Sequence, residues 1–204
     1  MTTGDYVVHI VDDEEPVRKS LAFLLTVEGF AVRLHESASA FLKAAPDIQK
    51  GCLVTDLRMP DIDGVELLRR LRRDGIRIPA IVITGHGDVP MAVAAMKAGA
   101  LDFIEKPFED QVLIDSIRRA AGELEKATAS DVPLIAKRLA TLTERERQVL
   151  SGIAAGLPNK TIGYDLDISP RTVEVHRANI MSKMEAKNLA ELVRMAIATG
   201  VLDL

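Results

Sequence analysis

Along the first 126 residues, short apolar runs alternate with stretches in which apolar residues recur every three or four positions. The runs at 7–11, 30–35, 52–56, 79–84 and 101–105 are too short for helices and predict buried strands. The stretches at 14–28, 38–44, 64–73, 89–98 and 109–125 predict amphipathic helices. In the first of them Val17, Leu21, Leu24 and Leu25 share a face and Gly29 supplies a stop. Strands alternating with helices predict the α/β class: one doubly wound domain whose parallel sheet is covered on both faces. Ligands of such sheets bind beyond the carboxyl ends of the strands.

From residue 123 the strand pattern stops. Residues 123–138 form a linker that begins by continuing the last helix, with Ser130 and Pro133 marking either a break or a fresh helix start. The pattern beyond is all helical. Thr143 and Glu146 have the spacing of a capping box, opening a helix with Val149, Leu150 and Ile153 inward and Gly156 at its end. Further helices are predicted at 159–166, 170–184 and 188–199. Ser169 caps the long one and Pro170 takes its first position.

Charge separates the two halves. Residues 1–126 carry a net −5, a poor basis for binding nucleic acid, whereas residues 127–204 carry +1, which permits it without demonstrating it. No apolar run approaches the roughly 18 residues of a membrane span. No basic-then-apolar leader opens the chain. Cys52 is the single cysteine, so no internal disulfide can form, which fits a reducing cytoplasmic setting.

The chemistry concentrates at strand ends. The first strand runs into Asp12 and Asp13, and the third ends in Asp56. With those strands adjacent, three carboxylates converge, and like charges so close call for a cation. Hard oxygen ligands in a partly solvated site suit Mg²⁺. The fourth strand ends in the Thr84 hydroxyl, and Lys106 follows the fifth. Such a set suits phosphorylation of a carboxylate: Asp56 attacks in line, while Mg²⁺ and Lys106 neutralise the oxygens of the transferred group. An isolated strand-end Asp is more often a turn former. Here each informative residue falls at the end of a different strand.

The stretches "VDDEEP", "VTDLRMPDIDGVEL", "VITGHGD" and "DFIEKPF" closely resemble the receiver domain of bacterial response regulators, over residues 5–122. The resemblance implies a flavodoxin-like five-stranded fold. It makes Asp56 the phosphoacceptor, Asp12, Asp13 and Asp56 the metal pocket, and Arg58 a metal ligand through its backbone carbonyl. Thr84 and Phe103 match the family's switch pair, and Lys106 its phosphate-contacting lysine. The surface that responds is then about 89–105, where Val93, Met96 and Lys97 form a candidate dimer patch. Phosphatases of the haloacid-dehalogenase type share the aspartyl-phosphate chemistry. They need a second Asp two residues after the nucleophile, where this chain has Arg58. At most slow self-dephosphorylation is expected.

In the second half, residues 157–184 read as helix, tight turn, helix. A helical wheel on 170–184 turns Val173, Ile180 and Met184 to one side and Arg171, Val175, Ala178, Asn179 and Ser182 to the other. A face of small and polar residues suits a helix lying in a major groove. Val175 and Ala178 are candidates for thymine methyls, Asn179 for an adenine edge, and Glu174 for a cytosine amine. Lys160, Arg171, Thr172 and Lys183 are candidates for phosphates. "LTERERQVL" with "GLPNKTIGYDLDISPRTVEVHRANIMSKM" resembles the LuxR-type four-helix DNA-binding domain, over 139–204. Together the two resemblances give the FixJ/NarL layout of two-component regulators, with closest likeness to its nitrogen-fixation branch. They imply a FixL-type sensor histidine kinase as phosphodonor, homodimerisation on phosphorylation, promoter DNA as ligand and RNA polymerase as the downstream partner. A receiver-controlled adaptor that binds protein instead of DNA is the alternative from another class.

Overall fold

The computed structural model describes residues 6–48, 50–85, 88–122 and 132–199, which form two compact units. The first is a five-stranded parallel sheet in the order β2-β1-β3-β4-β5, built from β1 (Val7–Val11), β2 (Ala31–His35), β3 (Gly51–Asp56), β4 (Ala80–Thr84) and β5 (Asp102–Glu105). The strands of β3 and β4 are buried on both faces, which is why they read as unbroken apolar runs rather than alternating ones. The edge strand β2 is largely exposed.

Strand parity assigns the two faces. Val8, Ile10, Cys52, Val54, Ile81, Ile83 and Ile104 form one core with Leu21 and Leu25 of α1 (Glu15–Val27) and Leu113 and Ile117 of α5 (Asp110–Ala120). On the opposite parity, His9 and His35 stack at 5.3 Å and meet the edge of Phe41 from α2 (Ala38–Ala44), beside α3 (Gly64–Arg73). Register pairs Val11 with Thr55, Asp56 with Ile83 and Thr84 with Glu105. Asp12, Asp56, Thr84 and Lys106 are thereby delivered to one end of the sheet. In chain order α4 (Val89–Lys97) follows β4, and its residues 89–96 are grouped with the second unit.

The second unit is helical, with α6 (Val132–Ala140), α7 (Glu144–Ala154), α8 (Asn159–Asp165), α9 (Pro170–Met184) and α10 (Leu189–Ala198). The capping box at Thr143 forms in both directions. Ser169 Oγ accepts the Thr172 amide at 3.0 Å and starts α9. Val149, Leu150, Ile153, Ile162, Val173, Ile180, Met184 and Val193 make its core. Gly163 is required by close approach: a Cβ there would sit 2.7 Å from the Ile168 carbonyl oxygen, at the turn between α8 and α9. Residues 123–131, most of the expected linker, lie outside the described residues. The structure does show α6 packing on α9, with Arg138 paired to Glu185, so the helical unit takes in chain from 132, ahead of the expected 139. That pair spans 47 residues and leaves no local pattern to read.

His9 carries a pH prediction. Burial first, then the neighbouring His35 and Arg33, pull its pKa from 6.5 down to about 4. The unfolded chain takes up the proton at a pH where the folded sheet refuses it. Stability is therefore full above pH 6.5 and is lost as pH falls towards 4, by about 3 kcal/mol at 1.36 kcal/mol per pKa unit. Urea unfolding at pH 7 and 4.5 should show this loss, and His9→Gln should flatten it.

Candidate functional site

Asp12 and Asp56 leave β1 and β3 side by side, and both are buried, Asp12 being 1% and Asp56 8% exposed. Lys106 spans them, with Nζ donating to Asp56 Oδ1 at 3.0 Å and to Asp12 Oδ2 at 3.3 Å. Backbone amides hold the remaining oxygens: Glu14 N–H donates to Asp12 Oδ1 at 2.8 Å and Arg58 N–H to Asp56 Oδ2 at 2.7 Å. Both bonds come from two residues downstream, so the loop that follows each strand fixes the rotamer of its carboxylate. The Thr84 side chain is buried, and its carbonyl accepts the Lys106 amide at 2.7 Å, which sets the height of the lysine above the sheet.

Burial pushes the Asp12 carboxyl above its ordinary pKa, and the negative charge of Asp56 adds to this. The Glu14 amide and Lys106 oppose the rise without cancelling it. Burial alone would lower Lys106, but its bonds and attraction to Asp56 and Asp12 prevail and raise it. The pocket is thus one that a positive charge stabilises. Its acceptor atoms are all oxygen, which suits a hard cation such as Mg²⁺.

Asp13 departs from expectation. It is exposed, and among the described residues no three His, Cys, Asp or Glu side chains are gathered closely enough to hold a metal. The observed contacts join Asp12 and Asp56 through Lys106, with Asp13 exposed one residue further along the chain. The Arg58 side chain is exposed, as suits a residue whose backbone acts at the site. Phe103 is buried on β5. Of the proposed dimer patch only Lys97 is exposed. Val93 and Met96 are 2% and 7% exposed.

Two residues of this site escaped the sequence reading. Arg18 Nη1 donates to the Asp12 carbonyl at 2.6 Å from the first turns of α1. Gly64 opens α3 against the end of β3: a Cβ there would lie 2.6 Å from the Asp56 carbonyl oxygen. The Asp63–Gly64 dipeptide signals a turn from sequence alone, but not what the turn must avoid.

In the helical unit Arg171, Glu174, Val175, Ala178, Asn179 and Ser182 of α9 and Lys160 of α8 are all exposed, Val175 at 55%. Thr172 is half-buried and its hydroxyl is bonded to Ser169 Oγ at 2.8 Å, so it serves the cap. Arg177 lies on the inner flank, donating to Asn159 Oδ1 at 3.1 Å. Lys183 is a correction. Its Nζ donates to the buried Glu146 carboxylate at 2.7 Å and so ties α9 to α7, which removes it from the set of free phosphate ligands. That bond, with the Thr143 amide, holds Glu146 below the usual carboxylate range.

Two family models match the chain: the response regulator receiver domain over residues 8–118, and the bacterial regulatory proteins of the luxR family over 140–196. The transcriptional regulatory protein FixJ of Rhizobium meliloti (strain 1021) is 70% identical over 198 residues, covering 96% of this chain and 97% of that protein. Among solved structures, full-length FixJ from B. japonicum is 50% identical with a TM-score of 0.55, covering 97% of this chain and 98% of that one. The crystal structure of FixJ-N is 72% identical with a TM-score of 0.56, covering 59% of this chain and 96% of that one.

Replacing Lys183 by Ala leaves the Glu146 charge buried without its ammonium, and should destabilise the helical unit by about 2 kcal/mol. Because the residue holds α7 to α9, the salt dependence of DNA binding should keep its slope. Thermal unfolding and a salt titration of the same variant separate the two effects.

Proposed function

The chain belongs to the FixJ-type response regulators, phosphorylation-dependent transcription regulators that join a receiver to a LuxR-type helix-turn-helix domain, and we propose that Asp56 is the residue through which this one is switched. The observation that carries the reading is the Lys106 ammonium shared between two buried strand-end carboxylates. A carboxylate so placed is oriented and stands beside a cation that will meet the oxygens of an incoming phosphoryl group.

The donor is a sensor histidine kinase of the FixL type. An Asp56 oxygen forms the bond to phosphorus as the phosphohistidine P–N bond breaks, and the imidazole leaves with the electron pair. Lys106 stays within reach of the transferred oxygens. Receiver domains bind Mg²⁺ at this site. Here Asp12, Asp56 and the Arg58 carbonyl would hold it, with Asp13 from the solvent side, and the ion supplies further neutralisation of the phosphoryl charge. Thr84 and Phe103 read the new charge. Phosphate acts only by stabilising one of two receiver states over the other. The favoured state dimerises through the 89–105 surface, which requires Val93 and Met96 to be uncovered. The dimer then binds promoter DNA through α9 and recruits RNA polymerase, at nitrogen-fixation genes in the cytoplasm.

The kinase has a docking surface beside the pocket. Phe23 and Val27 of α1 are 74% and 67% exposed, and they line a groove of about 480 Å³ with Val17, Leu24, Lys106 and Pro107. An apolar surface that runs up to the phosphate-facing lysine suits a helix carrying the phosphohistidine.

Asp56→Asn should abolish dimerisation and DNA binding driven by acetyl phosphate with Mg²⁺. Unchanged dimer yield in sedimentation would overturn the assignment. Phe23→Ser should slow labelling by the kinase at least tenfold and leave labelling by acetyl phosphate unchanged. In the helical unit, Lys160→Ala with Arg171→Ala should weaken DNA binding and shallow its salt dependence, since each lost phosphate contact removes about one released counterion. An adaptor with no DNA ligand would show no such dependence to lose.

A further inference from the structure

One more buried carboxylate of the receiver sits away from the phosphoacceptor pocket. Asp102 opens β5 and is 2% exposed. Its Oδ1 accepts the backbone amide of Phe103 at 3.0 Å. Its Oδ2 accepts Ser116 Oγ at 2.5 Å and the Arg119 guanidinium, both from α5. Arg119 also donates to Ser116 Oγ at 3.0 Å, which closes a three-membered polar cluster inside the apolar layer between β5 and α5. Ser116 is itself 2% exposed. The Arg119 Nε has no hydrogen-bond partner and is buried, so the guanidinium is committed to Asp102 by one edge alone.

Stability does not account for such a cluster. An apolar residue at position 102 would match Ile104 and the Leu113–Ile117 face, and a buried ion pair seldom outperforms well-packed apolar groups. What the carboxylate does is local: it fastens the peptide of Phe103 to α5, one residue before the aromatic ring and four before Lys106. Lys106 is fastened at the other end of the same strand, through its amide to Thr84 and its ammonium to Asp56. The strand is therefore held at both ends by polar contacts, one to the reactive carboxylate and one to α5.

The geometry points to Asp102, Ser116 and Arg119 as positioning residues that transmit the state of Asp56 to α5 by anchoring β5. This rests on the reading of Asp56 as phosphoacceptor. Because β5 is fastened to α5 at Asp102 and Phe103, a pull on Lys106 and Thr84 at its other end is passed along the strand to α5. With the anchor loosened, the strand yields at Asp102 and the displacement is dissipated. A coupling free energy of this kind appears as the ratio between the phosphorylated and unphosphorylated equilibria, and not in the chemistry at either site.

The test uses the full chain with acetyl phosphate and Mg²⁺. Two quantities are measured: the rate of Asp56 labelling, and the factor by which labelling strengthens dimerisation in sedimentation. Ser116→Ala should label within twofold of the unaltered protein but lose at least fivefold of that factor, and Ser116→Thr, which restores the hydroxyl, should recover it. Arg119→Lys keeps the charge and loses the fork, and provides the same reading should Ser116→Ala fail to fold. A gain in dimerisation that survives in these variants would overturn the proposal and leave the cluster a packing feature. So would parallel loss of labelling and gain, since the residues would then act on the pocket. Absence of any gain in the unaltered protein would instead overturn the reading of Asp56 itself.

Discussion

One ammonium group between two buried carboxylates organises the receiver. Asp12 and Asp56 stand in a position where two negative charges are costly, and burial raises the Asp12 carboxyl above its ordinary range. Lys106 offsets that cost only because parallel strands deliver all three groups to the same sheet end. The constraint spreads outward from there. The Glu14 and Arg58 amides must face the carboxylates, which shapes both following loops. Helix α3 must begin hard against β3, which excludes any side chain at Gly64. The site remains one that positive charge stabilises.

The rest of the molecule repeats this use of paired buried charge, with different consequences. Asp102 and Arg119 fasten β5 to α5, whereas Glu146 and Lys183 fasten α7 to α9. In the helical unit the pairing fixes the frame that presents α9. Glu146 serves the Thr143 cap and the Lys183 ammonium at once, so a helix start and a helix-helix contact share one carboxylate. Arg177 and Asn159 add the tie between α8 and α9. The exposed face of α9 keeps Arg171, Val175, Ala178 and Asn179 free of such duties, which is the condition for reading DNA.

Much of this was legible in the chain. Short runs rich in apolar residues marked all five strands, most plainly β3 and β4, because strands covered on both faces demand continuous hydrophobicity. The Thr143 box and the Ser169–Pro170 start were readable because capping acts over three residues. The set Asp12, Asp56, Thr84 and Lys106 was legible once each was seen to end a different strand. Lys183 was not legible in this way: it was assigned by its residue type and its spacing on α9, and its partner Glu146 comes from α7.

The sequence by itself determined the order of elements, their caps and the strand-end chemistry, because these rest on periodicities and contacts a few residues long. The tertiary structure alone decided which carboxylates meet, which lysine is bound and which is free, and which glycine cannot change. Those outcomes depend on pairs such as Asp12 with Lys106, 94 residues apart, and Glu146 with Lys183, 37 apart. No local pattern encodes them, since the packing of whole strands and helices sets the distance between their side chains.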